Sequence, residues 1–164
     1  DVWWCETIPD GREIGVLADE LARASERLGE PSAPPPELVV TMTVGAEGRC
    51  VTGQPVAEAF APILDLPGLI AVGANCAPAD DIGAALQALG KVTTLPLVAK
   101  PNLGGQWDAE LGAFVGPPSP GIADADALAD LVELGARLVG GCCGTAPSAL
   151  AQVVEHLRAA RQWR

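Results

Sequence analysis

The segment ARLVGGCCGTAPSAL, residues 136–150, places a short apolar run, a glycine-flanked pair of cysteines and the start of a helix in one continuous stretch. The run Arg137–Gly141 is predicted as a strand. Pro147 lies near the start of the helix that follows, where the missing N–H of proline costs nothing. A short apolar strand that leads directly into a helix is the repeating unit of parallel sheets with crossover helices. The segment therefore predicts an α/β fold.

The same strand–helix order recurs along the whole chain. Predicted strands are Val2–Glu6, Leu38–Val44, Leu69–Cys76, Leu97–Lys100 and Arg137–Gly141. Predicted helices cover residues 12–28, 55–65, 79–90, 124–135 and 146–162. The strands are mostly apolar and rarely alternate with polar residues, as expected of parallel strands that are covered on both faces. Residues 100–121 form a connection too long for a plain turn between a strand and a helix.

The helix boundaries carry recognisable signals. In the first helix Ile14, Leu17 and Leu21 recur at the spacing of one helical face. Asp10 is predicted to cap that helix, and Asp124 and Thr145 are predicted to cap the last two.

About five strand–helix units fit either a doubly wound sheet or part of a (β/α)8 TIM barrel. A complete barrel has ~250 residues, so five units need roughly 156. The chain has 164 residues. Its length therefore permits five-eighths of a barrel, within a single domain covering residues 1–164.

Composition excludes several classes of function. The net charge is −11, and the sequence has no basic stripe, which argues against a nucleic-acid partner. No apolar run approaches the ~20 residues of a membrane span, and the start of the chain does not resemble a signal peptide. The five cysteines lack the spacing of a disulfide framework, so we expect a cytoplasmic protein with metal-binding or reactive thiols. Because Asp1 opens directly on a strand-like run, we also expect a piece of a longer polypeptide.

Three cysteines lie where α/β proteins place their active sites. Cys76 ends the third predicted strand, and Cys142 and Cys143 end the fifth. Active sites gather at the carboxyl ends of parallel strands. Adjacent strand residues face opposite ways, but the glycines around the cysteine pair allow a turn that aims both sulfurs at one point.

Three thiolates suit Zn²⁺, and a site with three protein ligands keeps a fourth position open for catalysis. Two other interpretations stay open on the residues alone: buried or redox-active thiols, including a vicinal disulfide, and a glycine-rich anion loop before a helix. His156, deep in the last helix, is predicted at the surface. Cys5 faces away from its neighbour Glu6, and Cys50 lies in a polar loop, so neither is a candidate ligand.

The motifs GGCCGT, GANC and CETIPD, in their order along the chain, resemble those of the homocysteine S-methyltransferase family, and PNLGGQWD resembles the family's Pro-Asn-x-Gly stretch. The resemblance implies a (β/α)8 barrel with catalytic zinc bound by Cys76, Cys142 and Cys143. It further implies that Glu6 binds the substrate amino group and that Asn75 contacts substrate or supports the site.

The resemblance implies transfer of a methyl group from a donor such as S-methylmethionine to the thiol of L-homocysteine, giving methionine. The implied partners are therefore homocysteine and a small methyl donor. The alternatives are an incomplete, inactive zinc-binding fragment and a thiol redox protein that uses the vicinal cysteine pair.

One part of the family pattern has no counterpart in this chain, namely the element on the first strand. By strand count the chain covers the fourth to eighth strands of the barrel. We therefore expect exposed sheet edges and apolar surface, with a missing N-terminal segment or a homo-oligomer as further possible partners.

Overall fold

The computed structural model describes residues 2–27, 36–115 and 121–159. The strands are β1 Val2–Ile8, β2 Glu37–Thr43, β3 Leu69–Asn75, β4 Leu97–Lys100, β5 Gln106–Asp108, β6 Ala113–Val115 and β7 Ala136–Val139. The helices are α1 Gly11–Arg27, α2 Val56–Phe60, α3 Ala79–Leu89, α4 Ala125–Glu133 and α5 Pro147–Ala159, with short 3₁₀ turns at Ala46–Gly48 and Ala61–Ile63. The predicted strands and helices are confirmed to within two residues at each end, with two exceptions. The helix predicted at 55–65 is α-helical only over Val56–Phe60 and continues as the 3₁₀ turn Ala61–Ile63. The predicted helix ends at 28 and 160–162 lie outside the described residues.

Five strands form one parallel sheet in the order β1-β2-β3-β4-β7. The predicted parallel α/β architecture is therefore confirmed, and it places the carboxyl ends of all five strands at one edge. The long connection at 100–121 contains strands β5 and β6, which form a small antiparallel pair of their own.

The main core lies between the sheet and its helices. Val40 and Met42 of β2 and Val72 and Ala74 of β3 are completely or almost completely buried there. They share the core with residues from α1, α2 and α3, among them Ile14, Phe60, Ile82 and Leu86. Burial of a side chain of this size stabilises the fold by about 1.5–3 kcal/mol, so this layer fixes the sheet against the helices.

The opposite face of the sheet carries a second and smaller cluster. Val39, Ala71 and Val98 are buried on it, and Leu138 packs against them. A Cβ atom at Gly73 would lie 2.0 Å from the backbone oxygen of Val98, so β3 and β4 can approach this closely only with glycine at that position.

Strand β1 differs from the expectation that the strands are covered on both faces. Val2, Trp3 and Trp4 are 49%, 38% and 43% exposed. The physical reason is position, because β1 is an edge strand that pairs with β2 alone in the described sheet. The expectation of exposed apolar surface at a sheet edge is confirmed for this strand.

Asp10 caps α1 as predicted. Its Oδ1 accepts hydrogen bonds from the backbone N–H groups of Arg12 at 2.9 Å and Glu13 at 3.2 Å. The Arg12 guanidinium also donates to Asp10, which together with these backbone bonds holds the pKa of the Asp10 carboxyl below its usual range.

Asp124 likewise caps α4, since its Oδ1 accepts from the N–H groups of Asp126 at 3.1 Å and Ala127 at 3.0 Å. The prediction for Thr145 is wrong. Its Oγ1 is buried with no hydrogen-bond partner among the described residues, because its side chain packs against Gly141 instead of capping α5. Of the helices in the described ranges, none is long and apolar enough to cross a membrane.

Candidate metal centre

Three cysteine sulfurs meet at the carboxyl edge of the sheet. Cys76 directly follows β3, and Cys142 and Cys143 lie in the turn between β7 and α5. Their Sγ atoms all lie within 4.8 Å of one another, and those of Cys76 and Cys143 are 3.6 Å apart. The fold thus brings together side chains that are 67 residues apart in sequence.

The backbone at both strand ends turns sharply to aim these sulfurs. Cys76 has φ = +61°, a left-handed conformation that is rare for a residue other than glycine. Its N–H donates to the carbonyl of Lys100 at 3.1 Å, which ties the turn to the end of β4. On the other side, Gly144 has φ = +77° and the N–H of Cys142 donates to the carbonyl of Pro101 at 2.9 Å. Both turns are therefore anchored on the segment that leaves β4.

The lack of a side chain at Gly141 allows Thr145 to pack closely against the backbone there. A Cβ atom on Gly141 would lie 2.3 Å from Cγ2 of Thr145. A side chain at this position would therefore displace Thr145 and with it the start of the last helix.

The spacing of the Cys76 and Cys143 sulfurs fits a tetrahedral metal ion. Zinc–sulfur bonds of about 2.3 Å at tetrahedral angles place ligand sulfurs roughly 3.8 Å apart. The distance of 3.6 Å between Cys76 and Cys143 matches this value. Cys76 and Cys142 are half-buried and Cys143 is exposed, so the cluster is reachable from solvent.

The three thiols influence one another electrostatically. Burial, followed by hydrogen bonding to Cys143 and the proximity of Cys142, raises the pKa of the Cys76 thiol to about 12. Without a cation, Cys76 is therefore protonated at neutral pH. A bound cation would favour the thiolate, and binding would then release a proton.

Asn75 connects the cysteine cluster to the end of β1. Its side chain is fully buried. Its Nδ2 donates to Oγ1 of Thr7 at 2.7 Å and lies 3.8 Å from Sγ of Cys142, while its Oδ1 accepts from the N–H of Thr7 at 3.1 Å.

Glu6 lies on the sheet face opposite the helices, next to a lysine. The ammonium of Lys100 forms an ion pair with the Glu6 carboxylate, and their side chains are 20% and 37% exposed. Nζ of Lys100 also lies 5.4 Å from the ring centroid of Trp4, within range of a cation–π interaction. Cys5 packs on the helix side instead, against the main core.

The sequence also predicts places for His156 and Cys50. His156 is exposed, as predicted, with its Nδ1 3.1 Å from the carbonyl oxygen of Gln152. Cys50 differs from its expected place in a polar loop, because it is only 3% exposed and belongs to the main core.

Two residues that contact the predicted site residues, Lys100 and Thr7, were not predicted from the sequence. The sequence does contain an indication for Lys100. A lysine at the end of the apolar run PLVAK lies where the strand ends, at the carboxyl edge of the sheet. Thr7 gives no such signal, because its role depends on a contact with a residue 68 positions away.

Comparisons with known proteins agree with this arrangement. A family model described as homocysteine S-methyltransferase matches residues 1–157. The chain is 32% identical over 151 residues to the homocysteine S-methyltransferase of Escherichia coli K12, covering 92% of this chain and 46% of the relative. It is 31% identical over 160 residues to homocysteine S-methyltransferase YbgG of Bacillus subtilis, covering 96% of this chain and 47% of that relative.

A solved structure shows the same similarity in three dimensions. The metallated form of the homocysteine methyltransferase MmuM from Escherichia coli superposes with a TM-score of 0.70 at 30% identity, covering 93% of this chain and 44% of that one. The chain thus spans about half the length of the curated relatives that it matches.

Proposed function

This chain belongs to the homocysteine S-methyltransferase family, and on that premise we propose that it provides the zinc site of an enzyme that methylates the thiol of L-homocysteine to give methionine. The observation that carries the proposal is the convergence of three cysteine sulfurs within 4.8 Å of one another. The relatives named above are homocysteine S-methyltransferases, and one solved relative has a metallated form. We propose S-methylmethionine, a sulfonium, as the methyl donor.

We propose that the five strands are the fourth to eighth strands of a (β/α)8 barrel, and that residues 1–164 form the C-terminal portion of a single homocysteine-binding domain. Two features support this assignment. The strands are parallel and follow one another in chain order, as in a barrel. The exposed edge strand β1 also offers a place where a further strand can pair. The remaining strands would come from a polypeptide equivalent to the unmatched part of the relatives, or from a second copy of the chain.

The proposed metal ligands are Cys76, Cys142 and Cys143, and the spacing of the Cys76 and Cys143 sulfurs fits Zn²⁺. When bound, the zinc ion supplies a positive charge that keeps a substrate thiol deprotonated at neutral pH. Three protein ligands leave one tetrahedral position for that thiol. The exposure of Cys143 leaves the cluster accessible to an incoming substrate.

The chain's own residues would then bind and orient the substrate. Glu6, near the carboxyl end of β1 at the same edge of the sheet as the cluster, binds the ammonium group of homocysteine and thereby limits the directions from which the thiol can approach. Asn75 is proposed as a positioning residue, because it holds the end of the strand that carries Glu6 and also contacts Cys142. The five cysteines are free, which fits the reducing cytoplasm that we propose as the location.

The test measures zinc and methyl transfer on the same preparation. Purified chain is assayed by atomic absorption and for methionine formation from homocysteine with S-methylmethionine, betaine or methylcobalamin. Each assay uses the chain alone and the chain combined with the part of the Escherichia coli relative that it does not match.

We expect about one zinc per chain and methionine formation that requires homocysteine. Stoichiometric zinc without methionine in either format would identify a zinc-binding fragment that does not catalyse the reaction. Absence of zinc, with ready formation of a disulfide between Cys142 and Cys143, would instead identify a thiol redox protein.

A further inference from the structure

Lys100 lies between the two turns that carry the cysteines. Its carbonyl accepts from the N–H of Cys76, and the preceding residue, Ala99, accepts from the N–H of Gly140 at 3.0 Å. A Cβ atom at Gly140 would lie 3.6 Å from Cγ of Lys100, so the lysine stem runs along this glycine. Its ammonium reaches Glu6 on β1, three strands away in the sheet. Lys100 therefore contacts both the turns that carry the cysteine cluster and the carboxylate that is proposed to bind the substrate ammonium group.

The ion pair occupies the carboxylate that is proposed to bind substrate. A partly exposed pair of this kind contributes only about 0–1 kcal/mol, so an incoming ammonium group can replace Lys100 at Glu6. Homocysteine is a zwitterion, and its carboxylate needs a partner of its own. Glu6 alone would attract the ammonium group and repel the carboxylate.

We infer that Lys100 binds the carboxylate of homocysteine while Glu6 binds its ammonium group. The inference rests on the proposed function and adds a specificity-determining residue to it. In the structure the two side chains neutralise each other. When substrate binds, its ammonium replaces that of Lys100 at Glu6, and Lys100 turns to the carboxylate, so that positive and negative charges alternate across the site. The flexible four-carbon stem and the three donors of lysine suit this exchange.

Two arginines of the described residues have acidic partners of their own. Arg12 and Arg23 pair with Asp10 and Glu20. Arg158 lines a cavity of about 560 Å³ together with Lys100. It is therefore the alternative cation for the substrate carboxylate and the best matched control.

The test compares two thiols on the 164-residue chain loaded with Co²⁺ in place of zinc. One is homocysteine, and the other is 3-aminopropane-1-thiol, which lacks only the carboxylate. Binding of each is followed by the thiolate-to-cobalt charge-transfer absorption. The variants are Lys100→Met, Lys100→Gln, Lys100→Arg and the control Arg158→Met, with cobalt stoichiometry and thermal unfolding measured for each.

We expect Lys100→Met and Lys100→Gln to weaken homocysteine binding roughly 10- to 100-fold, the range for a lost charged hydrogen bond. Binding of the aminothiol should stay the same or tighten, because Glu6 is then free. Lys100→Arg should retain part of the affinity for homocysteine, and Arg158→Met should retain all of it.

Two results would overturn the inference while leaving the proposed function intact. The first is an equal loss of affinity for both thiols in the folded Lys100 variants. The second is that Arg158→Met alone loses the preference for homocysteine over the aminothiol. If the wild-type chain loads cobalt but binds neither thiol, both alone and combined with the part of the Escherichia coli relative that it does not match, the proposed function fails and the inference fails with it.

Discussion

Asn75 and Thr7 hold each other by two hydrogen bonds, at 2.7 Å and 3.1 Å, across 68 residues of sequence. The pair joins the end of β1, which carries Glu6, to the end of β3, which carries Cys76. Thr7 has φ = +66°, so the strand end is held in an unfavourable conformation. The position of Glu6 relative to the cysteine cluster therefore depends on this contact.

Asn75→Ala is expected to lower the free energy of unfolding by about 1–3 kcal/mol, because removal of the buried amide leaves the N–H and Oγ1 of Thr7 without their partner. It should also weaken zinc binding about tenfold, the lower range for a group that supports a ligand. Denaturant unfolding and chelator competition measure the two effects. A double-mutant cycle with Thr7→Val should show coupling, and simple additivity would contradict a direct contact.

Cys142→Ala is expected to weaken zinc binding by more than ~100-fold and to abolish methyl transfer with it, because a direct ligand is lost. Atomic absorption after dialysis against a weak chelator measures the retained metal. Cys5→Ala is the matched control, since Cys5 packs against the main core away from the cluster, and it should keep its zinc. Unchanged metal content in Cys142→Ala would refute the proposed ligand set.

Metal affinity should rise with pH. The pKa of Cys76 is raised to about 12, so its thiol is protonated throughout the neutral range and must lose a proton when metal binds. Release of that one proton makes the apparent association constant increase about tenfold per pH unit. Zinc affinity measured by competition between pH 6 and 8 should show at least this slope. A flat profile would exclude the sulfur of Cys76 from the site.

Glu6→Gln is expected to weaken homocysteine binding roughly 10- to 100-fold and to leave zinc bound, because the substrate ammonium loses a charged partner while the sulfurs stay in place. Calorimetric titration of the zinc-loaded chain measures the change. Glu13→Gln, on the exposed side of the first turn of α1, is the control. Loss of zinc in parallel with homocysteine affinity would show that Glu6 supports the metal site itself.

Asp124→Ala is expected to lower the free energy of unfolding by ~1 kcal/mol, the usual effect of removing an N-cap. The change frees two backbone N–H groups at the start of α4. Asp124→Ser keeps a side-chain acceptor and should lower the free energy of unfolding much less. Equal losses in the two variants, measured by denaturant unfolding, would argue that the cap contributes nothing.

Local patterns in the sequence determined the strand–helix order, most element boundaries and the choice of three cysteines. The apolar run before Cys76 and the glycines around Cys142 and Cys143 report strand ends, because periodicity and turn chemistry act over a few neighbouring residues. In a parallel α/β sheet, strand ends of this kind share one edge, and this made the cysteine cluster predictable.

Only the tertiary structure decided the contacts that depend on strand order and register. Lys100 meets Glu6 across 94 positions of sequence, and Asn75 meets Thr7 across 68, because β1 to β4 lie side by side. The burial of Cys50 and the exposure of Trp4 were likewise set by what packs against each one. Such contacts arise from the way distant segments assemble, and no local pattern encodes which partner a side chain will find.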